Sequence, residues 1–386
     1  MKLKKLTGTP AQHGFAMPAE WARHSGTWFS WPRPEGISFP AKHHTVPANL
    51  ATIIREIAPR EDVHINLPNE NYERIVRSQL IAGGVPSRHF APMTPLDGKP
   101  SIRGRIQFHY IKTNEPWCRD HGPAFVTRTH RGKKQHAIVD WGHNAWGGKY
   151  PPWDADDAVP TRIAEEFARR KTPGFAGIFY PKHKGQPIVM EGGSVDFNGK
   201  GTVLTTEACL LHPNRNPGMT KAQIATALKD NYGQSNVVWL GEGIVGDDTD
   251  GHIDDLSRFI GPRTIVTVVE EDPRDQSYKL LRDNLRRLEL ATDEQGRPFI
   301  IIPIPMPGHV EHVGQRLPAS YANFYFVNGA MLVPTYRNKK PDRKVCDILQ
   351  RALIAIGQQH KVIPIDCHEL IWGLGSIHCL TQQQPA

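Results

Sequence analysis

VDFNGKGTVLTT, residues 195–206, sets Asn198-Gly199 between two apolar runs. An Asn-Gly pair flanked this way is the strongest short-range signal for a β-hairpin. YANFYFVNGAMLVPTY, residues 321–336, repeats it around Asn328-Gly329. LSRFIGPRTIVTVV turns at Gly261-Pro262, and PAFVTRTHRGKKQHAIVDW turns near Arg131-Gly132. Three of the hairpins are followed by helical periods. KAQIATALKDNYG puts Ile224 and Leu228 on one face, SYKLLRDNLRRLEL aligns Leu281, Leu285 and Leu288, and RKVCDILQRALIAIG aligns Val345, Ile348, Leu349 and Ile356. A short apolar strand then closes each unit: VVWL at Val237, FIII at Phe299 and KVIPI at Lys361. Near the start, VHINL at Val63 precedes the helix-like YERIVRSQLIAG. The unit is strand, strand, helix, strand.

The unit recurs with chemically distinctive residues at its head: Asp120, Glu191, Asp254, Asn323 and Cys379. Each is expected to open or sit in a first strand. The intervals exceed those of common solenoid repeats, and five units in 386 residues suggest a closed ring. The reading is an α/β fold, a five-bladed propeller of pseudo-fivefold ββαβ repeats, with residues 1–386 as a single domain. In a ring, the last unit pairs with the first. GLGSIHCLTQQQP, at Gly373–Pro385, is then a closing strand, although chain ends usually fray.

Composition narrows the function. The chain is 39% hydrophobic and 22% charged, an ordinary globular balance. MKLKKLTGTP has no apolar run behind its charges, so no signal peptide is expected. The most apolar stretch, FIIIPIPMP, is short and broken by prolines, so no membrane span is expected. Five cysteines in a chain this long imply no disulfide framework, and a reducing, cytoplasmic setting follows as the default. The net charge of +8 is dispersed and does not interleave with aromatics, which argues against nucleic acid. Acidic residues do cluster in GEGIVGDDTDGHIDD, residues 241–255, which suggests a cationic ligand there.

Equivalent units bring Asp120, Glu191, His252, Asp254 and Cys379 to one pocket. Carboxylates in pairs suit a planar guanidinium. Its central carbon is a poor electrophile, and a cysteine is an intrinsically strong nucleophile. A nearby histidine can protonate leaving ammonia and then activate water. Taken singly, each residue has a plainer reading. Asp120 beside Arg119 could be a surface ion pair. Glu191 before Gly-Gly could cap a turn. His252 and Asp254, as H-x-D, could ligate a metal, though no H-E-x-x-H or paired C-x-x-C accompanies them. Cys209, Cys346 and Cys367 read as inert small hydrophobes. Cys118, beside Trp117 and Asp120, fits either reading. No G-x-S-x-G or papain-like cysteine signature is present.

Six stretches in order resemble the agmatine deiminases of the guanidine-modifying pentein superfamily, which are related to bacterial-type peptidylarginine deiminases. They are MPAEWARHSGTWFSWP from Met17, PWCRDHGP from Pro116, MEGGSVDFNGKGTVLTTEACLLHPNRNP from Met190, TDGHIDD from Thr249, YANFYFVNGAMLVPTY from Tyr321, and GLGSIHCLTQQQP. The resemblance implies a five-bladed α/β propeller. It makes Cys379 the nucleophile and His252 the general acid and base. Glu191 holds the guanidinium and positions His252, while Asp120 and Asp254 bind guanidinium nitrogens. Trp117 and Gly375 also line the substrate site. The implied reaction turns agmatine into N-carbamoylputrescine and ammonia through an S-amidino cysteine, a step of polyamine biosynthesis, with no cofactor and no metal. A homodimer is compatible with the family. Leu374 and Ser376 depart from the family's G-G-G-N-I-H-C, and Asp196 stands where a histidine is usual. Cys118 within W-x-R-D is also unusual. These departures are expected to reshape the far end of the pocket. Two alternatives stay open: another guanidine as substrate (arginine, peptidyl-arginine or a smaller compound), or a silent fold that binds a cation or nucleic acid.

Overall fold

The computed structural model describes residues 2–90 and 105–386. Five separate sheets share one pattern, a first strand antiparallel to a second, and a third strand parallel to the second after a helix. Ala124–His130 pairs with Lys133–Val139, which pairs with Phe175–Phe179 after the helix Val159–Arg170. Asp196–Phe197 and Thr202–Thr206 are followed by Lys221–Tyr232 and Asn236–Leu240. Ser257–Gly261 and Thr264–Val269 are followed by Tyr278–Leu290 and Ile300–Pro305. Tyr325–Val327 and Ala330–Thr335 are followed by Lys339–Ala355 and Lys361–Asp366.

The fifth sheet is assembled from both chain ends. Gln382–Pro385 runs antiparallel to His24–Ser30, which pairs in parallel with Asp62–Leu67, and Ile106–Tyr110 adds a fourth strand. The helix Val46–Ile57 makes the crossover. The terminal strand is therefore sheet, as expected. Its side chains Gln382, Gln383 and Gln384 are buried, with Trp28 Nε1 donating to Gln384 Oε1 at 2.9 Å.

Sequence patterns placed the helices well because each carries an apolar stripe or a cap. Thr220 and Gln223 form a reciprocal capping box, and Gly233 ends that helix with φ 64°. The Leu281 stripe continues through Asn284 to Leu288, with Leu285 only half-buried. The hairpin at Asn198-Gly199 forms, with Asn198 Oδ1 accepting from the amides of Lys200, Gly201 and Thr202 in a four-residue loop. Two local expectations need correction. The third hairpin turns at Pro262-Arg263, because pairing extends through Gly261. Finally, the distinctive residues do not lie in first strands. Asp120 is in the helical turn Cys118–His121, Glu191 precedes Gly192–Ser194, Asp254 is in Ile253–Asp255, and Cys379 is in Ile377–Leu380. Asn323 precedes the strand Tyr325–Val327. A single helical turn is too short to print a 3.6-residue period on the sequence.

The middle of the molecule holds buried charge. Arg258 is fully buried and donates to Glu20 Oε2 at 2.8 Å, to Asp196 Oδ1 at 3.0 Å and to the carbonyl of Phe324 at 2.8 Å. Removing one partner of such a network leaves the others desolvated and unpaired. Arg258→Met is expected to destabilise the fold by about 3–5 kcal/mol, read as a lowered denaturant midpoint with an unchanged slope. No helix among the described residues is long and apolar enough to cross a membrane.

Candidate active site

Two of the helical turns, Cys118–His121 and Ile377–Leu380, meet at a cavity of about 280 Å³. Trp117, Asp120, Trp146, Tyr150, Leu374, Gly375 and Cys379 are among its lining residues, with Asp248, Thr249, Gln315 and Trp372 toward the rest of the wall. Its acids are Glu115, Asp120 and Asp248; no arginine or lysine lines it among the described residues.

Cys379 sits in its helical turn because Asn323 holds it there. Asn323 Oδ1 accepts from the amide of His378 at 3.0 Å and from Ser376 Oγ at 2.8 Å, and Asn323 Nδ2 lies 3.0 Å from Cys379 Sγ. Ser376, a departure from the family motif, thus supports the turn. Leu374, the other departure, takes φ 69° and lines the cavity. That backbone region suits glycine and strains a leucine. Gly375 must be small, since a Cβ there would meet Trp117 at 2.7 Å and Cys379 Cβ at 3.0 Å.

Asp254 Oδ2 lies 3.7 Å from Cys379 Sγ. His252 Nδ1 lies 3.7 Å from Asp120 Oδ1 and 4.0 Å from Asp254 Oδ1. Asp120 is fixed by Trp146 Nε1 at 3.0 Å and by the amide of Gly193 at 3.0 Å. A Cβ on Gly193 would fall 2.5 Å from His252 Nδ1 and 2.9 Å from Asp120 Oδ1, so that glycine keeps the acids and the histidine together. Glu191, His252 and Asp254 are buried and do not line the cavity, and Glu191 Oε1 accepts from Arg215 Nε at 2.6 Å. Three buried site atoms have no hydrogen-bond partner among the described residues: Glu191 Oε2, His252 Nε2 and Asp254 Oδ1.

Burial and the local charges set the protonation states. Burial, with Asp254 and Glu191 adding to it, pushes Asp120 up to about 6. Burial would raise Asp254 too, but the hydrogen bond and charge of His378 hold it below the usual carboxylate range. Glu191 resists burial through Arg215 and is also lowered. Burial opposes the charged form of His252, yet Asp120, Cys209 and Asp254 raise it well above the ordinary imidazole value. Burial and the surrounding Asp254, Asp255 and Asp120 push the Cys379 thiol well above the usual cysteine value. The arrangement stores a proton on His252 and keeps Cys379 neutral until a cation offsets the carboxylates.

The structure thus brings Asp120, His252, Asp254, Cys379, Trp117 and Gly375 to one place, with Glu191 behind His252. Several readings change. Cys118 is fully buried outside the cavity, with burial raising its thiol to about 12. Asp196 is the counter-ion of Arg258 and does not line the cavity. Cys209 is more than filler: its Sγ, a Glu191 oxygen and a His252 nitrogen lie within 4.8 Å of one another. That trio, or Asp254 with Asp255 and Cys379, is close enough to hold a metal ion. The acidic segment 241–255 is mostly committed internally. Asp247 accepts from the amides of Thr249, Gly251 and His252, and Asp250 pairs with Arg215 and Lys149. Asn323 and Arg215 carried no chemical role in the sequence reading, because their partners lie at distances along the chain that no local pattern spans.

Comparison with known proteins places the whole chain beside agmatine deiminases. An agmatine deiminase from Pseudomonas putida is 34% identical, covering 100% of this chain and 99% of that protein. One from Ectopseudomonas mendocina is 33% identical over 99% of this chain and 98% of its own. Among solved structures, the Enterococcus faecalis agmatine deiminase superposes with a TM-score of 0.83 at 29% identity, covering 100% of this chain and 99% of that one. A C. jejuni agmatine deiminase with substrate bound superposes at 0.78 with 27% identity, covering 96% of each chain. The model of the Porphyromonas-type peptidyl-arginine deiminases matches residues 16–385, and with that span the chain belongs to this family.

Proposed function

We propose that the chain hydrolyses agmatine to N-carbamoylputrescine and ammonia. The observation that carries this reading is that Cys379 and Asp120 face an aromatic-walled cavity lined by no arginine or lysine among the described residues, with His252 and Asp254 buried directly behind them. The guanidinium lies between Asp120 and Asp254. Its charge offsets the acids that keep Cys379 protonated, and the thiol proton leaves to solvent. The thiolate attacks the guanidinium carbon, and His252 protonates the departing nitrogen as ammonia. The resulting S-amidino group is cleaved by a water that His252 deprotonates, which returns the thiolate and releases the ureido product. Glu191, held by Arg215, fixes His252 from behind. Repeated sheet topology, with its last strand pairing to the first, supports a five-bladed α/β propeller working as one catalytic domain.

The direct test is incubation with agmatine, following ammonia and identifying the product by mass spectrometry. Stoichiometric ammonia and N-carbamoylputrescine are expected, and an unchanged substrate refutes the reading. His252→Ala is expected to lower kcat by at least ~10², with a strong chelator leaving the unsubstituted chain's rate unchanged. Activity lost to chelator and restored by zinc would instead assign His252, Cys209 and Glu191 to a metal.

A further inference from the structure

Two ionisable residues do no work in the steps above: His378, next to Cys379, and Glu20, in the MPAEW stretch far from it in sequence. The structure joins them. His378 Nδ1 lies 2.7 Å from Asp254 Oδ2, and its Nε2 lies 2.8 Å from Glu20 Oε2. All three side chains are buried. A carboxylate only accepts, so a ring nitrogen facing one donates. Both ring nitrogens thus face carboxylates, and the ring bridges Asp254 and Glu20.

Glu20 is itself anchored from every side. Its Oε2 also accepts from Arg258 Nη2 at 2.8 Å and lies 3.5 Å from Arg119 Nη2, while its Oε1 accepts from the amide of Phe326 at 2.9 Å. Burial alone would raise its carboxyl, but Arg258, His378 and Arg119 hold it far below the usual range. Arg119 Nε adds a hydrogen bond of 3.3 Å to the carbonyl of His378, and the Tyr325 ring packs with its centroid 6.4 Å from the imidazole. The ring therefore cannot swing without breaking contacts to three other segments, those of Asp254, Glu20 and Tyr325.

We propose that His378 and Glu20 are positioning residues that aim Asp254 at the substrate. His378 occupies Asp254 Oδ2, which leaves Oδ1, buried and without a partner among the described residues, as the oxygen that meets the guanidinium. Glu20 keeps the imidazole donating by holding its far nitrogen. Asp254 is then held with Oδ2 between His378 and Cys379, at 2.7 Å and 3.7 Å. The role explains why the MPAEW stretch, which contributes nothing to the cavity wall, is buried beside the site: it supplies the fixed end of an Asp254–His378–Glu20 chain.

The inference rests on the proposed agmatine reading, and the test separates the two. Agmatine binding is measured by calorimetry in a Cys379→Ser background, where binding proceeds without turnover. Adding His378→Gln is expected to weaken the dissociation constant by at least about 10-fold, the scale of one charge-assisted hydrogen bond. A role through Asp254 also requires non-additivity: with Asp254→Asn already present, His378→Gln changes binding no further. A structural role alone would lower the active fraction and the melting temperature while the folded fraction bound agmatine normally. Should His378→Gln not fold, Glu20→Asp carries the same measurement. It keeps the charge facing Arg119 and Arg258 and only shortens the reach to His378. If the Cys379→Ser chain binds no agmatine, the functional reading fails and this inference with it. If it binds, and a folded His378→Gln or Glu20→Asp chain binds equally well, or the effects with Asp254→Asn simply add, the positioning role is overturned alone.

Discussion

Cys379→Ser is expected to abolish ammonia release while the thermal midpoint stays close to that of the unsubstituted chain. The substitution exchanges sulfur for oxygen in a helical turn that Asn323 holds through backbone amides, so the scaffold of the turn is untouched. The chemistry is not preserved. Even the thiol of Cys379 is kept protonated by burial and by Asp254, Asp255 and Asp120 until a cation arrives. A hydroxyl in the same field is far harder to ionise, and it is a weaker nucleophile at neutral pH. Cys346→Ser, on the outer helix Lys339–Ala355, serves as the control and should turn over normally. Near-native turnover by a fully folded Cys379→Ser chain would remove Cys379 as the nucleophile.

The second large effect is substrate choice. We expect kcat/KM for agmatine to exceed that for L-arginine by at least ~10³, about 4 kcal/mol of discrimination. Arginine differs by an α-carboxylate. Carrying that anion into a wall that includes Glu115, Asp120 and Asp248 requires a cationic partner, and no arginine or lysine among the described residues lines the cavity. Lys149, beside the lining Tyr150, is taken by Asp250 at 2.8 Å. Arg119 is buried against Glu20 and Gln383, away from the wall. The sequence reading sent it away from the pocket on a strand. The structure does so from a helical turn. An unpaired carboxylate in such a place is strongly disfavoured, whereas the amine of agmatine suits the acids. Ammonia release from agmatine, arginine and an arginine-containing peptide, measured side by side, decides it. Equal or faster turnover of either of the last two would keep the deiminase chemistry and discard the agmatine assignment.

What the sequence determined by itself was the repeating unit and the chemical type of the site. Hairpin signals, amphipathic helices and short apolar strands are local, so the order strand, strand, helix, strand could be read directly; that the last unit pairs with the first was expected from the repeat, while His24–Ser30 as the partner of Gln382–Pro385 was not. Asp120, Asp254 and Cys379 stood out as polar or reactive heads of units, with His252 two residues before Asp254, and the structure brings the four together. Tertiary structure alone decided how those residues are held. The turns that carry them are single helical turns, too short for periodicity to show. Their supports come from elsewhere in the fold: Asn323 under Cys379, Arg215 behind Glu191, Cys209 against His252, and Glu20 reaching Asp254 through His378. Such partnerships depend on where buried charges find one another in three dimensions, and a buried charge takes whichever partner the fold places beside it.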